Sequence, residues 1–113
     1  MSVYFEYLAE RRPEMMVKTV PEGFAIYRYM EDAVYIEEIY VKPEYRNTSI
    51  ASQLSEEIQS EALELGYTQL LGSVSPSAQR ATQSIQVLIA HGMQVTSAED
   101  DLIWFFKDLK ENI

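Results

Sequence analysis

"YVKPEYRNTSIASQL", residues 40–54, decides the fold. It begins at the end of an aromatic and β-branched run, passes through a polar turn, and opens a pattern with a period near 3.6. Ile50, Leu54, Ile58, Ala62 and Leu65 share one helical face, with Gln53, Glu56, Glu57, Ser60, Glu61 and Glu64 on the others. Gly66 follows where a C-terminal cap belongs. The stretch therefore predicts a strand, a turn and an amphipathic helix over 50–65. The start of such a helix offers N–H groups with no intrahelical acceptor, here at Ser49 to Ser52, and the positive end of its macrodipole. All four of its glutamates lie beyond the first turn, and Arg46 precedes it. That pattern suits a pyrophosphate. It also suits a helix capped by Asn47, Thr48 or Ser49 with no ligand at all.

Upstream, "MMVKTV" (15–20), "FAIYRYM" (24–30) and "VYIEEIYV" (34–41) read as strands joined by turns at "PEG" and "EDA", a meander of three strands or four. Residues 2–12, ended by Pro13, fit a strand or a short helix. Downstream, "YTQLLGSVSP" (67–76) is a strand ending at Pro76. A second helix follows at about 78–91, with Ala81, Ile85, Leu88 and Ile89 as its apolar stripe and Gly92 as its stop. "MQVTS", a turn at "AEDD" and "LIWFFKDL" close the chain as a hairpin. This order gives an α+β or mixed α/β domain over residues 1–113, a mostly antiparallel sheet flanked by helices.

Composition narrows the chemistry. The 113 residues carry 18 acidic and 9 basic side chains, a net charge of −9. That balance disfavours binding to nucleic acid or anionic membranes and favours a cationic partner, or serves solubility. No apolar run approaches the roughly 18 residues that would span a membrane, and the N-terminus does not read as a signal peptide. With no cysteine and one histidine, His91, neither a thiolate nucleophile nor a zinc site is expected. His91 belongs with the last carbonyls of the second helix. Ser73 and Ser75 have no histidine nearby in sequence to activate a serine nucleophile. The absence of cysteine agrees with a cytoplasmic protein.

The order of elements resembles the Gcn5-related N-acetyltransferase (GNAT) superfamily. "IEEIYVKPEYR" is similar to that family's fourth strand, and "RNTSIA" stands where the family has an Arg/Gln-x-x-Gly-x-Gly/Ala turn. "LLGSVSP" matches its fifth strand, and "SIQVLIAHGMQV" its fourth helix. The resemblance covers residues 24–108. It implies an acyl-CoA N-acyltransferase-like fold with acetyl-CoA as co-substrate, bound where the fourth and fifth strands splay apart. Carried over, Arg46, Asn47, Thr48, Ser49, Ile50 and Ala51 would hold the pyrophosphate, and Ile39, Tyr40 and Val41 the pantetheine arm. Ala51 matches the motif's second small position. Ser49 replaces the first, where glycine permits close backbone approach.

For the chemistry, the resemblance implies a base that deprotonates the amine, and Glu37 and Glu38 lie on the matching strand. Strand alternation puts Ile39 and Val41 on one face and Glu38 and Tyr40 on the other. Glu38 therefore points to the cleft if Ile39 and Val41 face the core. The family's usual acid, a tyrosine four residues before the helix-ending glycine, is Leu88 here, and its frequent asparagine is Ala81. Tyr40 is a substitute acid. The short N-terminal region implies an acceptor site that is open or completed by a second subunit, suited to a protein lysine, an N-terminus or a polyamine. The run Trp104-Phe105-Phe106 reads as a core strand, with its outward face a candidate homodimer surface. The alternatives are a catalytically silent fold that binds a protein partner, and a minimal structural subunit.

Overall fold

The computed structural model describes residues 3–46, 48–75, 77, 81–90, 92–99 and 101–109. In chain order the elements are α1 (Val3–Arg11), β1 (Met16–Val20), β2 (Gly23–Met30), β3 (Ala33–Val41), α2 (Ile50–Glu64), β4 (Gln69–Val74), α3 (Ala81–Ala90), β5 (Gln94–Glu99) and β6 (Leu102–Asp108). The strands form one six-stranded sheet in the order β1-β2-β3-β4-β6-β5. β3 and β4 are parallel and joined through α2; the other neighbours are antiparallel. A parallel pair needs a crossover of this kind, and the periodicity of residues 50–65 supplies it.

The two faces of the sheet are read from β2. Ala25 and Tyr27 join Val34, Leu54, Ile58, Ala62, Leu70 and Phe105 in the main core, under α2. Ile26, one position out of phase, packs instead with Leu8 and Met15, and Phe5 and Phe24 join them. This second cluster explains why residues 3–11 are helical, where the pattern left a strand open. The helix buries only Leu8 fully, so packing rather than periodicity decides its form. The meander consequently has three strands. At the far end Ala98 and Glu99 pair with Ile103 and Leu102. Strand pairing thus extends into the first half of the expected "AEDD" turn.

Both described crossover helices end on glycine. Gly66 has φ of 96°, with Gly66 N–H donating to Leu63 and Tyr67 N–H to Ala62. Gly92 has φ of 85°, with Gly92 N–H donating to Ile89 and Met93 N–H to Leu88. These paired bonds are the Schellman arrangement, which glycine adopts without the steric cost other residues incur. Pro76 and His91, which bear on the ends of β4 and α3, lie outside the described residues.

Glu61 ties α2 to the sheet. Its carboxylate accepts hydrogen bonds from Tyr27, at 2.8 Å, and from Tyr29, and faces Lys18 Nζ at 3.9 Å. The hydrogen bond from Tyr29 is the largest influence holding the Glu61 carboxyl below its ordinary range, with Tyr27 and Lys18 adding to it. Burial, followed by the bond to Glu61, pushes both tyrosines above theirs. A lowered carboxyl stabilises the fold above about pH 4.5, and that contribution is lost as pH falls through the folded value. A raised phenol stabilises it below about pH 10, and that contribution is lost as pH rises further. Glu61→Gln should therefore flatten the decline of Tm on both sides of neutrality in melts between pH 3 and 11. Unchanged acid and alkaline limbs would contradict this reading.

Candidate functional site

β3 and β4 pair only from Ala33↔Gln69 to Ile36↔Gly72. Beyond that register both strands continue, β3 to Val41 and β4 to Val74, but no longer with each other. β3 stays on β2 to the Gly23↔Val41 pair, and β4 stays on β6 to the Val74↔Ile103 pair. The sheet therefore opens into a wedge. Residues 37–41 line one wall for roughly 15 Å at about 3.3 Å per residue. Their β4-facing edge has no strand partner, so backbone groups there are open to an extended ligand, apart from the Val41 carbonyl, which accepts from Arg46 Nε.

A bulge lies at the apex. Tyr27 pairs with Ile36 and Ile26 with Glu38, so Glu37 is an extra residue on β3. Strict alternation would put Ile36 and Ile39 on opposite faces, yet both pack against the core under α2. The bulge restores the phase. Glu38 and Tyr40 then share a face with their partners Ile26 and Phe24, the α1 face. Ile39 faces the helix-covered core.

Arg12, just past the end of α1, grips Glu37 with two nitrogens, Nη1 to Oε1 at 3.1 Å and Nη2 to Oε2 at 3.4 Å. Glu38 is exposed and has no hydrogen-bond or ion-pair partner among the described residues. The two glutamates are thus separated in role: one is engaged, the other is available.

The wedge opens towards the start of α2. Ser49 is the N-cap residue, with φ −89° and ψ 11°. Its φ is negative, so the position does not demand the left-handed backbone that favours glycine. The Ser49 hydroxyl makes no capping bond; it accepts from Gln53 Nε2 at 3.2 Å. Thr48 Oγ1 donates to the Tyr45 carbonyl. Two of the three candidate caps are therefore used elsewhere, and the third, Asn47, lies outside the described residues. No acidic residue occupies the first turn. Its N–H groups and dipole present a positively polarised surface.

Arg46 folds back towards β3. Its Nε donates to the Val41 carbonyl at 3.0 Å, and its guanidinium lies 5.7 Å from the centroid of the Tyr40 ring. Tyr40 in turn stacks on Phe24, whose ring meets Phe5 of α1 edge-on. Tyr40 is accordingly part of an aromatic ladder near the mouth of the wedge, away from Glu38's neighbours at the apex. Leu88 is a half-buried core residue, so α3 brings no acid from that position.

Sequence reasoning missed a second group at the apex. The Tyr35 hydroxyl and Ser73 Oγ lie 2.8 Å apart, Tyr35 packs against Trp104 at 5.3 Å between centroids, and Arg28 lies 5.5 Å from the Tyr35 ring. Tyr35 pairs with Arg28 and Ser73 with Trp104, so strand register assembles the cluster. No linear spacing between residues 28, 35, 73 and 104 announces it. Beyond β4, Ser75 and Ser77 donate to the Asp101 carboxylate and hold that group below its ordinary range. They bind the segment after the wedge wall to the final hairpin.

A helix start that neither Thr48 nor Ser49 caps thus lies beyond a parted parallel strand pair. The family model described as Acetyltransferase (GNAT) family matches residues 6–86, and the chain belongs to that family. No curated protein sequence matches it. Among solved structures it is similar to the PaiA N-acetyltransferase of Thermoplasma acidophilum in complex with coenzyme A, with TM-score 0.75 and 14% identity, over 90% of this chain and 65% of that one. It is also similar to a GNAT family acetyltransferase from Elizabethkingia anophelis with acetyl-CoA bound, with TM-score 0.72 and 15% identity, over 91% and 82% of the two chains. A third likeness is to the ribosomal-protein-S18-alanine N-acetyltransferase of Escherichia coli, with TM-score 0.72 and 15% identity, over 96% and 77%. The chain spans just under two thirds of the length of the first of these relatives.

Proposed function

We propose that this chain transfers an acetyl group from acetyl-CoA to a primary amine on a protein lysine, a protein N-terminus or a polyamine. The observation that carries the reading is the wedge between β3 and β4, opening onto an α2 start that neither Thr48, Ser49 nor an acidic side chain occupies. In this reading Arg46 to Ala51 hold the pyrophosphate, and the free edge of Ile39, Tyr40 and Val41 pairs with the pantetheine arm. The coenzyme A and acetyl-CoA complexes of two similar structures support that assignment. Backbone N–H near the bulge stabilises the oxyanion, and Glu38, directly or through one water, takes the proton from the attacking ammonium. Glu37, held by Arg12, helps to fix the bulge from which Glu38 projects.

The acceptor side is the α1 face. The acidic row Glu56, Glu57, Glu61 and Glu64 lies on α2, across the sheet from Glu38. The net charge therefore acts on an amine as a long-range field, and local selection falls to Glu38 and its neighbours. The Escherichia coli relative acts on a ribosomal protein, which supports a protein amine as one acceptor class. No helix among the described residues is long and apolar enough to cross a membrane. A cytoplasmic site of action, where acetyl-CoA is made and used, completes the proposal.

The test is incubation with acetyl-CoA and an amine panel: a lysine peptide, a peptide with a free N-terminus, and spermidine. Mass spectrometry should find an acetyl group added to at least one amine. Acetyl-CoA binding with no transfer to any acceptor, including the proteins of a cell lysate, would instead identify a silent CoA-binding module.

A further inference from the structure

Collapse of a tetrahedral adduct breaks the C–S bond, and the departing sulfur needs a proton. Leu88 cannot provide one, and Tyr40 stacks nearer the mouth of the wedge than its apex. We propose that Ser73 is the proton donor to the leaving thiolate, with Tyr35 as the residue that positions and recharges it. This rests on the acetyl-transfer reading above. If the pyrophosphate sits at the start of α2, the pantetheine arm runs back along residues 41 to 37 and brings the thioester to the apex. An extended arm is comparable in length to that roughly 15 Å wall.

Ser73 is the first β4 residue past the last pair with β3, Ile36↔Gly72. Tyr35 pairs with Leu71, so its hydroxyl reaches forward along the strands to meet Ser73 Oγ at 2.8 Å, across the point of parting. Both lie on the face that carries Glu38. Base and acid thus stand on opposite walls of one apex, Glu38 on β3 and Ser73 on β4.

The surroundings suit a relay. Tyr35 is 8% exposed and its ring is wedged against Trp104, which fixes the hydroxyl. Arg28 presents its charge 5.5 Å from the ring centroid, and its Nε is buried with no hydrogen-bond partner among the described residues. The step balances as follows. The ammonium gives one proton to Glu38 and attacks, forming C–N. The adduct loses a second N–H proton to water as the C–S bond breaks and its electron pair moves to sulfur. Ser73 Oγ–H protonates the sulfur, Tyr35 O–H replaces the proton on Ser73, water reprotonates Tyr35, and Glu38 passes its proton to solvent. The products are the amide, the CoA thiol and one proton released to solvent.

Release of CoA thiol from acetyl-CoA is followed with a fixed mixture of spermidine, α-blocked lysine and an unblocked alanine peptide as acceptors. Ser73→Ala should lower kcat about 10- to 100-fold, less than a full general-acid loss because a CoA thiolate can leave with help from water. Its acetyl-CoA Kd should hold within about twofold. Ser73→Thr keeps the hydroxyl and should recover most of the rate. Tyr35→Phe keeps the packed ring and should show an intermediate loss. Wild-type turnover with Ser73→Ala unaffected, or with Ser73→Thr as impaired as Ser73→Ala, overturns this assignment and leaves the acetyl-transfer reading standing. No turnover by the wild type overturns both.

Discussion

Glu38→Gln should lower kcat by about 10²–10⁴-fold while the Kd for acetyl-CoA stays within about twofold. The substitution keeps the size and polarity of the side chain and removes only its capacity to accept a proton. Glu38 is exposed and free of ion pairs among the described residues, so its loss leaves no stranded partner and should barely move Tm. Glu37→Gln should behave differently. It weakens the grip of Arg12 beside the bulge, and its effect on kcat should be smaller, because Glu37 is engaged by Arg12 and the proposed base is Glu38. Steady-state rates of the two variants, with acetyl-CoA binding measured by calorimetry, separate these roles. Equal losses in both would argue for a purely structural glutamate pair.

Gly23→Ala should cost roughly 2–4 kcal/mol of stability and lower Tm by about 10 °C. Gly23 pairs with both Val20 and Val41, at the end of β2 that supports the wedge wall. A Cβ there would lie 2.1 Å from the Tyr40 carbonyl oxygen and 3.0 Å from the Val41 Cα. These are backbone atoms and cannot move aside by changing rotamer. The only relief is to push residues 40–41 away, and those are the residues assigned to the pantetheine arm. Acetyl-CoA affinity should therefore fall along with stability. A folded variant with unaltered Tm would show that this edge is not the close approach described.

The strand–turn–helix of residues 40–54 was legible because a change of period from 2 to 3.6 survives any tertiary context. The helix-ending glycines were legible for a similar reason: Gly66 and Gly92 take up a positive φ that other residues resist. Residues 3–11 were not, since their helix depends on Ile26 and Phe24 beneath it. The orientation of Glu38 was read from strand alternation, which itself breaks at Glu37. The bulge was invisible because it is a property of two strands, not one. The cluster of Arg28, Tyr35, Ser73 and Trp104 was hidden for the same reason. What looked like the weak point, a serine where glycine is usual, proves to be an ordinary backbone conformation.

The central claim, that the start of α2 holds the pyrophosphate of acetyl-CoA, is tested most directly by Ser49→Asp. A carboxylate at the N-cap should hold or raise the Tm of the unliganded protein, since it caps the first turn and complements the dipole by about 0.3–1 kcal/mol. The same charge should repel a pyrophosphate. In thermal melts with millimolar acetyl-CoA, the account predicts a clear rise in Tm for the wild type and little or none for Ser49→Asp. No rise in the wild type, or an equal rise in both proteins, would contradict it.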